Sequence, residues 1–160
     1  MTLPDDIAQW LQESLLNLNV CDFSIAWFAS GNIESVPDYT AARWQLSVDM
    51  LYRTIACDLI LVHNFIECSD EASFLHAVRA FSPFDVEGIV LWNGTLVYAS
   101  PRLDKLVGAH FSPDLERRDK LNPAFIEALE QIFAQNGVPW SDKPLLPVPP
   151  SSAKTATTVQ

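Results

Sequence analysis

Apolar residues recur along this chain at helical spacing in several stretches. Over residues 3–18, Ile7, Trp10, Leu11, Leu15 and Leu18 follow the i, i+3, i+4 rhythm of one helix face. Thr2 is the expected N-cap there. Pro4 suits the first turn, and Asp5 and Asp6 complement the positive end of the helix dipole. A longer stripe, Trp44, Val48, Leu51, Tyr52, Ile55, Leu59 and Val62, predicts one helix over 39–64. Asp49 and Arg53 would form an i, i+4 pair on its outer side, and its second half is apolar nearly all round.

Ser69 is the expected cap of the next helix, with Asp70 and Glu71 in its first turn and Phe74, Leu75, Val78 and Phe81 facing inward. Ser100-Pro101 and Asn122-Pro123 start two further helices. Leu103, Leu106 and Val107 form the inner face of the first. Phe125, Leu129, Ile132 and Phe133 form that of the second, which Gly137 stops. The β signal sits at 88–99, where GIVLW and TLVYA flank Asn93-Gly94, the favoured pair for a type I′ turn. Residues 20–30 fit either a strand (Cys21, Phe23, Ile25, Trp27) or a two-turn helix ended at Gly31, and a strand over 23–28 would be the hairpin's third.

Beyond Gly137, VPWSDKPLLPVPP is too rich in proline for a helix and too apolar for a free linker. It is expected to lie as a strap across the domain. The expectation is an α+β, predominantly helical single domain over 1–148, with one β-hairpin (88–99), a proline-rich strap, and a disordered tail over 149–160.

Charge changes the picture more than composition does. Twenty acids face ten bases, for a net charge of −10. No lysine or arginine precedes Arg43, while Asp5, Asp6, Glu13, Asp22, Glu34 and Asp38 fall before it. Such a surface repels nucleic acid and anionic membranes and attracts basic proteins, although acidity also serves solubility alone. The longest strongly apolar run, Ile55–Ile66, contains Asp58 and is too short to cross a bilayer, and MTLPDDIAQW lacks the basic start of a signal peptide. A cytoplasmic location is expected.

Catalytic signatures are weak. His63, His76, His110 and the three cysteines Cys21, Cys57 and Cys68 lack CxxC or HxxxH spacing, so no metal or cofactor is expected. Cys57 beside Asp58, and Cys68 between Glu67 and Asp70, sit where negative charge disfavours a thiolate. Five glycines form none of GxGxxG, GxxxxGK[ST] or GxSxG. Trp10, Trp27 and Trp44 lie on apolar faces and read as core. Trp92, next to the turn, and Trp140, in the strap, are the candidate exposed anchors.

The segments PFDVEGIVLWNGTLVY (83–98) and LNPAFIEALEQIFAQNGVPWSDKPLLP (121–147) resemble the helix–hairpin–helix body and Pro-Trp strap of immunity proteins from bacterial contact-dependent and polymorphic toxin systems, of Rhs-like and type VI-associated kinds. The resemblance implies a cytosolic, non-enzymatic inhibitor that binds one cognate toxin. Residue patterning adds candidate partner-binding groups: Asp38, Glu67, Asp70, Glu71, Asp85, Glu87, Trp92 and Trp140. An adaptor or chaperone for a basic or amphipathic segment, or an enzyme with an unfamiliar site, are the alternatives.

Overall fold

The computed structural model describes residues 1–63, 68, 70–113 and 119–150. It is a mostly helical α+β domain with, among the described residues, six helices and a three-stranded antiparallel sheet. In chain order these are α1 (Asp5–Val20), β1 (Phe23–Ser24), a 3-10 turn (Ile25–Ala29), α2 (Ala41–Ala56) and β2 (Ile60–His63). There follow α3 (Glu71–Ala80), α4 (Val86–Gly94), β3 (Leu96–Ala99), α5 (Pro101–His110) and α6 (Pro123–Gln135).

α1 buries all five residues of its expected face. It begins later than the sequence implies: Pro4, not Thr2, is the N-cap, and no side chain caps it. Asp6 does the local work, accepting the Ile7 N–H at 2.9 Å and the Ser35 N–H at 2.8 Å, which ties the 33–36 loop to the helix. Residues 20–30 divide between both readings, a two-residue strand followed by a 3-10 turn.

α2 ends eight residues short of the expected long helix. Asp58 takes φ +53°, the left-handed conformation that aspartate tolerates better than most residues, and the Leu59 N–H returns to Thr54 O at 2.9 Å. Released from the helix, Ile60–His63, with β-branched Ile60 and Val62, becomes β2 and pairs with β3 in the register Ile60↔Ala99 to His63↔Leu96. The apolar all-round character of 55–63 belongs to a helix end and a partly buried strand.

The 88–99 hairpin is not formed. β1 pairs with one edge of β3 (Phe23↔Val97) and β2 with the other, so no edge is left for a strand over 88–92. That segment coils into α4 instead. It is seated by the Trp92 indole N–H donating to Phe81 O at 2.7 Å and by Gly88, where a Cβ would lie 1.7 Å from the Ser82 carbonyl oxygen. Asn93 and Gly94 are its last residues, and Gly94 does not have positive φ.

α5 and α6 start as expected. The Ser100 hydroxyl accepts from Leu103 N–H, the Asn122 side chain accepts from Ala124 and Phe125 N–H, and Gly137 ends the last helix at φ +73°.

The Asp49–Arg53 pair is the largest departure inside an element. Both are buried, not surface-exposed. Asp49 Oδ1 accepts the N–H groups of Leu145 and Leu146 at 3.1 and 3.0 Å. Arg53 donates to Val138 O (3.2 Å), Pro139 O (3.1 Å) and Asp49 O (3.3 Å). Gln45 adds bonds to Leu146 O and from Val148 N–H, and Arg79 donates to Pro147 O. Proline-rich chain cannot satisfy its own backbone groups, so buried polar side chains of α2 supply the partners that a sheet otherwise would. The strap thus crosses α2 and reaches α3. Of the expected tail over 149–160, only Pro149 and Pro150 are described, both exposed, and 151–160 lie outside the described residues.

Candidate functional site

α4 is apolar on nearly every side, yet only part of it is covered. Gly88, Leu91 and Trp92 face the core, while Val86 is 86% exposed, Val90 63% and Ile89 46%. Phe81, at the end of α3, is 42% exposed. A groove of about 470 Å³ runs between α3 and α4, lined by Cys68, Ala77, Phe81, Val86, Glu87, Val90 and Leu91. Tyr39 is 83% exposed, stands at φ +60°, and has its ring 5.2 Å from that of Phe84, just before α4. A bulky residue in the left-handed region costs roughly 1–3 kcal/mol and persists where its surroundings or a function demand it. Contiguous exposed apolar surface of this kind, rimmed by polar groups, marks interaction sites.

The acids at this surface are set by helix starts. Asp85 precedes α4, and Glu87 lies in its first turn and lines the groove; both are exposed. Asp70, two positions beyond the groove residue Cys68, caps α3 by accepting Ser73 N–H at 2.7 Å, and Glu71 follows it. The Ser73 contacts hold the Asp70 carboxyl below its ordinary value, so it is anionic at neutral pH. The cap at this helix is Asp70, where the sequence suggests Ser69, a residue outside the described set.

The other candidates separate. Glu67 lies outside the described residues. Asp38 forms an ion pair at 2.8 Å with Arg43, whose side chain is 1% exposed and also donates to Gly31 O and Val36 O. The first base in the chain is thus an internal staple for the 31–38 loop, and Asp38 is committed to it. Trp92 is fully buried and so cannot be an exposed anchor. Trp140 is partly buried against Arg53 and packs on the core.

Patterning missed Val86, Ile89, Val90, Phe81 and Tyr39. No helical period marks the first three, because 86–94 is apolar on several sides, and the Asn-Gly pair at its end points to a hairpin instead.

No group of three His, Cys, Asp or Glu side chains able to hold a metal exists among the described residues. Burial raises the Cys57 thiol to about 11, the direction opposite to that of a nucleophile. No described helix is long and apolar enough to cross a membrane. No family model, curated protein or solved structure matches the chain.

Proposed function

We propose that this chain is a cytoplasmic immunity protein that binds a basic toxin domain and occludes its active site. The observation that carries the reading is the α4 face: Val86, Ile89 and Val90 lie open to solvent beside the carboxylates of Asp85 and Glu87. Apolar surface supplies the burial that holds a complex, and a like-signed rim selects a partner of opposite charge and speeds its arrival. The occupant with matching chemistry is an amphipathic, basic segment of the toxin, its apolar side in the α3–α4 groove and its lysines or arginines against Asp85, Glu87, Asp70 and Glu71. Carboxylates placed over a site built to attract phosphate or another anion would block it by imitation.

The groove also favours a second reading, an adaptor that holds an amphipathic segment without inhibiting anything. Co-purification from the native cell, followed by assay of the partner's own activity, separates the two. Inhibition of a basic partner, saturating at one equivalent, is expected. An acidic partner rejects both readings, and a basic partner that stays fully active in the complex rejects immunity.

A further inference from the structure

A small pocket of about 180 Å³ opens between α1 and the 3-10 turn, lined by Trp10, Glu13, Ser14, Asn17, Trp27, Ser30 and Gly31. It is remote in sequence from the α4 face and shares no lining residue with that groove. Three features make it chemically specific.

Its walls are aromatic. Trp10, Glu13, Ser14 and Asn17 fall on one face of α1 by their three- and four-residue spacing. Trp27 stands opposite, 46% exposed, its ring backed by Phe23 at 5.3 Å. The Trp10 indole N–H is used on Ser30 O at 2.9 Å and its ring is only 3% exposed, so Trp27 is the aromatic surface open to a ligand. Gly31 keeps the loop close: it sits at φ +94°, and a Cβ there would lie 2.9 Å from Trp10 Cδ1.

Its one charged side chain, Glu13, is an acceptor. Glu13 is exposed and accepts the Gln9 amide at 2.7 Å through one oxygen, Oε1. No lysine or arginine pairs with Glu13 among the described residues, whose one ion pair is Asp38–Arg43. Arg43 reaches the Gly31 carbonyl, but its charge is met by Asp38. Exposed Asp22 and Glu34 in the same base-free segment add to the negative field.

Its size suits one side chain. Drug-sized ligands occupy about 300–1,000 Å³. An aromatic wall together with a carboxylate is the recognition chemistry of a planar cation, since indole faces attract guanidinium groups and carboxylates accept their N–H donors.

The geometry points to this pocket as a receptor for one arginine side chain presented by a partner protein, with its guanidinium against Trp27 and hydrogen-bonded to Glu13. The inference extends the reading of a basic partner, but its test requires no partner. The ¹⁵N-labelled chain is titrated with Nα-acetyl-argininamide while the indole N–H signals are followed. The neutral isostere Nα-acetyl-citrullinamide at matched ionic strength is the control, and Trp27→Phe assigns the signal. A saturable shift of the Trp27 indole and the Gly31 amide with arginine, absent with citrulline, is expected. Glu13→Gln, which keeps an acceptor for Gln9 on an exposed position, should weaken it roughly five- to tenfold. Absence of a saturable shift, an equal response to citrulline, or indifference to Glu13→Gln overturns the assignment. Any of these would leave the α4 docking surface standing. Rejection of the α4 surface, conversely, would not alter this titration.

Discussion

The guanidinium carbon of Arg53 lies 5.4 Å from the centre of the Trp140 ring. One buried cation on α2 thereby holds the strap at two levels, its donors on the Val138 and Pro139 carbonyls and its charge over the next residue's ring. Arg53→Ala would strand those carbonyls and remove the ring's partner, so a loss of about 3–5 kcal/mol is expected in urea unfolding. Cleavage by a protease within 138–148 should accelerate before the rest of the chain is cut.

Asp49 gives the strap a pH dependence of definite sign. Burial, opposed by the Leu146 and Leu145 N–H groups and by Arg53, holds its carboxyl above the ordinary 3.8. A carboxyl raised on folding retains its proton where the unfolded chain has lost it. Its contribution to stability is therefore complete below 3.8 and is lost as pH rises through the folded value. Asp49→Asn keeps an acceptor for both N–H groups and has no proton to lose. The stability of the variant minus that of the wild type should rise as pH increases from 3.8, then level off. Paired denaturation curves across that range check the sign, and a falling difference would contradict it.

Gly88→Ala tests the seat of α4. A Cβ 1.7 Å from the Ser82 carbonyl cannot be absorbed without moving backbone. Overpacking of this order costs about 1–3 kcal/mol, read as a lowered urea midpoint. A hairpin would have placed the sensitivity at Gly94, which does not have positive φ here.

The cysteines should separate by reactivity. Cys21 is exposed, whereas Cys57 is buried with its thiol raised to about 11. Alkylation of the folded protein near pH 8, followed by peptide mapping, should label Cys21 readily and Cys57 only after unfolding.

These features were unequally legible in the sequence. α1, α5 and α6 announce themselves because each carries an apolar stripe with a polar back, and Ser100-Pro101, Asn122-Pro123 and Gly137 punctuate two of them locally. The strap was legible from its mixture of proline with Trp140, Leu145 and Leu146. Residues 55–63 and 86–94 were not, because both are apolar on several sides, and a run without a polar face has no period to read. What decides them is non-local: β3 takes β1 and β2 as its two neighbours, and Asp58 turns the chain by adopting positive φ. In the candidate site the carboxylates of Asp70, Glu71, Asp85 and Glu87 were visible as charge. Of their apolar companions, Ile89 and Val90 fall in the expected strand and Val86 in no expected element, so none was recognised as surface. Trp92 and Trp27 exchanged roles, the expected anchor being buried in α4 and the expected core residue, in the short 3-10 turn, exposed.

The central claim is that a basic partner docks on the acid-rimmed face of α4. The most direct test is calorimetric titration of the co-purified partner against wild type, Val86→Ser/Val90→Ser and Asp85→Lys/Glu87→Lys, at about 50 and about 300 mM salt. All four positions are exposed, so the serines should change the fold by less than about 0.5 kcal/mol per site, and the lysines, at the start of α4, by about 0.3–1 kcal/mol each through the helix dipole. The partner is expected to be basic, its binding weakened about ten- to a hundredfold (about 1.5–3 kcal/mol) by each double variant, with a salt dependence that the lysine variant loses. An acidic partner, or an affinity indifferent to both substitutions and to salt, would contradict it.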